Sequence, residues 1–327
     1  MHTFSEILHL LQGFSLQQPF PSEPSALYQP CSYILDLGGK RLRPALALMA
    51  AELMGGRPED ALHPAWAVEL FHNFSLIHDD IMDEAPVRRG QPTVHTRWNL
   101  TAGILSGDVM LIYAYRHLSQ TPNKTAVPAL LEVFNRVAVG VCEGQQMDMD
   151  FERQNTVTIP AYLQMIELKT AVLLGGALEM GALSVDAPDE DARYLYDFGR
   201  LAGIAFQIQD DLLDTYGDPA TFGKQVGGDI LQNKKTFLVL TTLEKAAPAD
   251  ADELRRLLSP ASKEMAPEAK IAAVRAIFDR YDTAGMVAAE KRRFEQLAFD
   301  ALDRVNAPDS RKSVLRSMVA ELLERER

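Results

Sequence analysis

Positive charge is missing from the beginning of this chain: no Lys or Arg precedes Lys40. The cationic stretch of a secretory leader is therefore not expected. No uninterrupted apolar run is long enough to cross a bilayer, so no transmembrane segment is expected and a cytoplasmic location is. Cysteine is scarce. Cys31 and Cys142 are the two, too far apart for metal-type or redox-type spacing, and both are read as buried free thiols without chemistry. Gly-x-x-x-x-Gly-Lys-Ser/Thr is absent, and nothing resembles a strand followed by Gly-x-Gly-x-x-Gly, so no nucleotide-binding fingerprint is present. Cations are also the minority overall: 33 Lys and Arg stand against 45 Asp and Glu, a net charge of −12 that argues against a nucleic-acid partner. An anion bound here must meet locally concentrated positive charge or a recruited metal.

The chain does have apolar mass for a large core, with 47% hydrophobic and 24% charged residues in 327. Apolar residues recur at helical spacing almost throughout, as in Leu46, Met49, Ala50 and Leu53, or Leu195, Phe198, Leu201 and Ile204. Alternation of period two is scarce, so strands are not expected. Gly38-Gly39, Gly55 to Pro58, Gly90-Gln91-Pro92, Thr121-Pro122, Ala187-Pro188, Asp218-Pro219, Gly227-Gly228, Ser259-Pro260 and Ala307-Pro308 mark loops between segments of roughly 12 to 30 residues. No linker or low-complexity tract divides them. The reading is one all-α domain over residues 1–327, a large helical bundle. The helices holding Phe71 to Ile81 and Leu201 to Leu213 are apolar over most of their circumference, the mark of central burial, and carboxylates on them need a reason.

Those carboxylates come in two matching sets. Asp79, Asp80 and Asp83 sit in Leu-Ile-His-Asp-Asp-Ile-Met-Asp; Asp210, Asp211 and Asp214 sit in Gln-Ile-Gln-Asp-Asp-Leu-Leu-Asp. On a helix, the first and last of each set lie about 40° apart and the second about 100° round. Like charges on one turn repel, and partly buried carboxylates are costly unless paired or metal-bound. One set alone reads as a solvated acidic face. Two sets of identical spacing, each after an apolar run, read as teeth for a hard cation such as Mg²⁺, which usually joins one or two carboxylates to substrate phosphates. Donors for the other side of that anion are at hand. Gly38-Gly39-Lys40-Arg41-Leu42-Arg43-Pro44, Arg88-Arg89-Gly90, Lys169-Thr170, Lys224 to Gly228 and Asn233-Lys234-Lys235-Thr236 each place cations near a turn or within an apolar helix. Arg grips diphosphate oxygens in pairs and Lys acts as a point charge. With no nucleoside platform and an apolar interior beneath the charges, the substrate expected is a diphosphate with a hydrocarbon tail.

As a set, these motifs resemble the all-trans polyprenyl diphosphate synthases of the isoprenoid synthase family. The similarity runs from Gly38 to Thr236 and includes His72, seven residues before Asp79, and Phe206-Gln207-Ile208-Gln209-Asp210-Asp211. The chain beyond it is similar only in length and helical pattern. The resemblance implies a type I isoprenoid synthase bundle with a central cavity between the two aspartate-bearing helices. It implies Asp79, Asp83 and Asp210 as Mg²⁺ ligands, with Asp80, Asp211 and Asp214 acting directly or through water; about three ions, with Mn²⁺ able to substitute, are expected. Arg88, Lys169, Thr170, Gln207, Lys224 and Lys234 would hold an allylic diphosphate (dimethylallyl, geranyl or farnesyl), and Lys40, Arg43, His72 and Arg89 would hold isopentenyl diphosphate. His78 and His95 are read as ordinary hydrogen-bonded histidines. A homodimer is implied as well.

The reaction that follows is ionisation of the allylic C–O bond, attack by the isopentenyl double bond and loss of a proton to the released diphosphate. Within the same fold, a terpene cyclase would usually carry a mixed Asn/Ser/Glu-type motif in place of the second aspartate set. A non-catalytic partner subunit could dispense with one set, and an acidic scaffold would bind metal without turnover. Product length is written on the residues before Asp79. Ser75 lies about 40° from Asp79 and roughly 6 Å down the helix, small and unobstructive; Phe74 is bulky but about 140° round, and Phe71 is the next candidate floor. A lone aromatic followed by a small residue, with no insertion in the aspartate motif, looks most like the C20 synthases. Geranylgeranyl diphosphate is therefore the expected product, ahead of farnesyl diphosphate or longer chains.

Overall fold

Local sequence rules account for many of the helix ends. Thr3 and Glu6 close a capping box at the start of α1 (Phe4–Ser15), each side chain accepting from the other's backbone N–H. Asn99 caps α6 (Leu100–Gln120) by accepting from the N–H of Ala102. The computed structural model describes residues 1–154, 156–217, 226–262 and 264–324. Between α1 and α6 lie α2 (Ser25–Asp36), α3 (Leu42–Leu53), α4 (Leu62–Met82) and the short α5 (Val94–Arg97). After them come α7 (Val127–Arg153), α8 (Ile159–Ile166), α9 (Val172–Leu183), α10 (Asp189–Tyr216), α11 (Gly228–Leu231), α12 (Phe237–Lys245), α13 (Pro248–Leu257), α14 (Pro267–Arg280), α15 (Thr283–Arg304) and α16 (Asp309–Glu324). The all-α expectation holds. No helix among the described residues is long and apolar enough to cross a membrane.

These helices group into two compact units. One is built from Met1–Val139, Leu173–Gly199 and Ala301–Leu315, the other from Gly140–Val172, Arg200–Asp300 and Arg316–Arg327. In the first, α4 is packed against α6, and every side chain from Pro64 to Phe71 is buried. Glycines permit this approach at the end of α4 that carries the aspartates. A β-carbon at Gly103 would lie 2.8 Å from Ile81 Cδ1, and one at Gly107 would lie 2.3 Å from His78 Nε2.

Three local expectations need correction. A strand pair does exist: β1 (Val87–Arg88) and β2 (Gln91–Pro92) form an antiparallel hairpin. It is too short to leave an alternating pattern. Its turn, Arg89-Gly90, has φ of 52° and 75°, the paired left-handed geometry of a tight hairpin. Cys31 is buried as expected, but Cys142 is exposed on α7. Lys169-Thr170 lies not in a regular helix but in a π-helical turn, Glu167–Ala171, between α8 and α9. The loop expected at Asp218-Pro219 lies outside the described residues.

Candidate active site

In the first unit several of the motif cations lie close to one another. Gly38 and Gly39 have φ of 79° and 135°, backbone that L side chains rarely adopt, and they turn the chain into α3. Arg89 reaches back across this turn and donates to the carbonyl of Gly38; a β-carbon at Gly39 would lie 2.8 Å from its guanidinium. Arg43 and His72 meet at 3.3 Å between Nη1 and Nε2. His72 is driven well below its ordinary pKa by burial and by Arg43, Arg89, Arg88 and Arg41, so it is neutral and accepts from Arg43 at Nε2. Burial lowers Arg43 to about 10, and its Nε is closed off from solvent with no hydrogen-bond partner among the described residues. A buried donor of that kind beside other guanidiniums is what an anion would satisfy. Lys40 is exposed at the edge of the same segment. Glu69 is the counter-charge inside the cluster: it pairs with Arg41 and accepts from Asn73 Nδ2 at 2.8 Å.

The first aspartate set divides by role. Asp80 is 2% exposed and takes a forked grip from Arg88, whose Nε lies 2.9 and 2.8 Å from its two oxygens. Burial raises its pKa while Arg88 pulls the other way. Asp79 is half-buried, with Oδ2 3.8 Å from Arg88 Nη2, and Asp83 is the exposed C-cap of α4. His78 donates from Nε2 to the Ile104 carbonyl oxygen at 3.1 Å, as an ordinary helix histidine would; His95 Nδ1 lies 3.2 Å from Thr93 Oγ1. Down the helix from Asp79, Phe74 is wedged between His78 and Phe71, at ring separations of 4.8 and 5.5 Å. Phe71 is fully buried against Phe134, and Ser75 folds its hydroxyl onto the His72 carbonyl.

The second unit shows the same division. Asp211 is buried and accepts from the Tyr162 hydroxyl at 2.5 Å and from Phe237 N–H, at the start of α12, at 3.0 Å. Burial pushes its pKa up to about 7 against those two bonds, and raises Tyr162 well above its usual range. Asp214 accepts from Asp229 N–H at 3.0 Å and so ties α11 to α10. Asp210 is half-buried, as is Gln207 one turn earlier. Lys169 extends from the π turn to Asp148 Oδ2 at 2.6 Å. That turn can lie against α7 only because residue 144 is glycine: a β-carbon there would come within 2.2 Å of Lys169 N. Lys234 Nζ lies 3.3 Å from Asp229 Oδ1, while Lys235 turns away to the Phe151 carbonyl. Lys224 lies outside the described residues.

Glu69, Gly144, Asp148 and Tyr162 were not singled out from the sequence, although Gly144 in mid-helix and the run Gln145-Gln146-Met147-Asp148 were visible signals. Gln145 Nε2 is a further buried donor without a partner among the described residues. The donors that Asp79, Asp83 and Asp210 offer are carboxylate oxygens alone, which suits a hard divalent cation. Both sets also sit in the final turns of their helices, where the macrodipole is negative and a cation relieves the repulsion. The described residues include no ready cage of three or more ligating side chains, and Mg²⁺ commonly binds without one, through water and substrate oxygens.

Comparison with known proteins supplies the context for these arrangements. A family description of polyprenyl synthetases matches residues 24–277. A short chain isoprenyl diphosphate synthase of Methanothermobacter thermautotrophicus is 38% identical over 304 residues, 93% of this chain and 91% of that protein. A geranylgeranyl diphosphate synthase of Methanosarcina mazei is 44% identical over 230 residues, 70% of this chain and 71% of its own. Among solved structures, a geranylgeranyl pyrophosphate synthase superposes with a TM-score of 0.95 at 42% identity, covering 99% of both chains.

Proposed function

We propose, from the premise that this chain belongs to the polyprenyl synthetase family, that it condenses isopentenyl diphosphate with an allylic diphosphate and releases geranylgeranyl diphosphate as its main product. The chain is a prenyltransferase of the short-chain kind. The observation that carries the product length is the single half-buried Phe74 followed by Ser75 above a fully buried Phe71; the geranylgeranyl diphosphate synthases among its relatives support the same length. Both aspartate sets are present, which favours an active enzyme over a non-catalytic partner subunit.

In this reading Arg43, His72, Arg89 and Lys40 hold isopentenyl diphosphate. The neutral His72 orients Arg43 without adding charge, so the grip comes from guanidiniums. Arg88, Lys169, Thr170, Gln207, Lys224 and Lys234 hold the allylic diphosphate, and their cations meet the negative charge that develops as the C–O bond breaks. Asp79, Asp83 and Asp210 would hold Mg²⁺, with Mn²⁺ as a substitute; when bound it supplies further positive charge to that leaving group. No side chain acts as nucleophile: the isopentenyl double bond attacks, and the released diphosphate takes the proton. Apolar helix faces keep water from the carbocation. A second copy of the chain is the proposed partner, supported by the exposed Leu100, Ile104, Leu105 and Ile112 on α6.

Chromatography of the products formed from dimethylallyl, geranyl and farnesyl diphosphates with isopentenyl diphosphate and Mg²⁺ tests the whole reading. A C20 product from all three supports it, and no condensation would overturn it. Ser75→Phe is expected to shorten the product toward C15. Phe74→Ala is expected to lengthen it by at least one isoprene unit, a step comparable to one helical turn of about 5.4 Å; unchanged distributions in both would place the floor elsewhere. Steady-state kinetics should separate the two substrates. His72→Ala or Arg43→Ala should mainly raise KM for isopentenyl diphosphate and Lys169→Ala that for the allylic partner, whereas equal effects on both would contradict the assignment.

A further inference from the structure

Lys270 is a charge in an uncommon place. It lies in the first turn of α14, after the last of the sequence motifs at Thr236, and only 5% of it is exposed. Burying an ammonium is costly unless it is paired. Among the described residues no carboxylate pairs with it: Nζ donates to one neutral acceptor, Asn233 Oδ1, at 2.6 Å. Burial accordingly lowers its pKa. An apolar side chain would fill the same space without that cost, so the reason for the lysine must be sought in Asn233.

Asn233 is the left-handed residue, φ 58°, that ends α11. Its N–H returns to the Ile230 carbonyl and the N–H of Lys234 to the Asp229 carbonyl, the paired bonds of a Schellman turn. α11 has four residues, far too few to persist alone. α14 braces it at both ends. Ile271 packs on Gly227, where a β-carbon would lie 2.6 Å from its Cδ1, and Lys270 holds Asn233. From α10, Asp214 takes the N–H of Asp229 at its side chain and that of Gly227 at its carbonyl. The residue that leaves this braced turn is Lys234.

We propose that Lys270 is a positioning residue that fixes, through Asn233, the direction in which Lys234 presents its ammonium to the allylic diphosphate. It does not touch substrate itself, and the inference rests on the reading of Lys234 as a ligand of that diphosphate. The test is steady-state kinetics on Lys270→Met, Asn233→Gly, Lys234→Ala and the double variant Lys270→Met/Lys234→Ala, with melting curves for each. Lys270→Met should raise KM for the allylic substrate about tenfold and leave KM for isopentenyl diphosphate within about twofold. Asn233→Gly, which keeps the left-handed turn but deletes the acceptor, should give the same split even where Lys270→Met melts too low to assay. The double variant should be no worse than Lys234→Ala alone, because coupled residues do not add. A wild-type allylic KM in both Lys270→Met and Asn233→Gly, equal increases for both substrates, or a full extra loss in the double variant would overturn the proposal. A wild-type allylic KM in Lys234→Ala would instead overturn the reading of the diphosphate site on which it rests.

Discussion

Alanine at Asp79 or at Asp210 is expected to lower turnover by several orders of magnitude while helix content and melting temperature stay near wild type. Metal-assisted stabilisation of a leaving group is worth several kcal/mol, and each 1.4 kcal/mol or so is a factor of ten in rate. Neither carboxylate is deeply buried, and each stands in the last turns of a helix, where removing a negative charge does the helix no harm. Alanine at Asp211 should behave differently. Its loss leaves the buried Tyr162 hydroxyl and the Phe237 N–H without their acceptor, at about 1–3 kcal/mol for each orphaned group. Circular dichroism melts and Mg²⁺-dependent diphosphate release, measured on all three variants, check both halves. Near-normal turnover in Asp79→Ala or Asp210→Ala would sink the metal assignment, and an unshifted melt in Asp211→Ala would sink the anchoring role.

Gly144→Ala is the second change from which a large effect is expected. The new methyl group would sit 2.2 Å from Lys169 N and 2.7 Å from Leu168 C, both backbone atoms that cannot rotate away. Overpacking a tight helix contact typically costs about 1–3 kcal/mol and sometimes more. Relief requires α7 and the π turn to part, which carries Lys169 away from Asp148 and from any diphosphate it holds. The expected result is a lower melting temperature together with a raised KM for the allylic substrate. Alanine at Gly140, one turn earlier, is the control: its β-carbon would meet Leu168 Cδ2 at 3.4 Å, ordinary contact with a flexible side chain, and it should be close to neutral. Equal behaviour of the two variants would contradict this account.

Helix content and the two aspartate sets were legible because period-3.6 patterning and repeated i, i+1, i+4 spacing are local properties. The division of labour within each set was not. Asp80 and Asp211 face donors from residues 8 and 49 positions away, Arg88 and Tyr162, and no spacing rule predicts such partners. The π turn escaped for a different reason. It differs from a regular helix by the position of one hydrogen bond per turn, and the glycine it lies against, Gly144, is in another helix. The hairpin was hidden because two-residue strands carry no alternation, although Arg89-Gly90 was the turn signal that announced it. Cys142 was read as a buried thiol, and its place on the solvent face of α7 shows how little a lone cysteine says about burial.

The forked contact between Asp80 and Arg88 bears on how fast and how selectively the site can be used. A free arginine side chain carries about 2 kcal/mol of rotamer entropy, which an incoming anion would have to remove. Here that freedom is already lost in the folded chain, since Asp80 holds Nε and Nη2. A guanidinium has five N–H donors, so others remain for a ligand. In the proposed site an arriving diphosphate would find a receptor whose disorder has been removed beforehand, and more of the contact energy would be expressed as affinity. The same carboxylate offsets part of the positive field, which disfavours singly charged anions relative to a diphosphate.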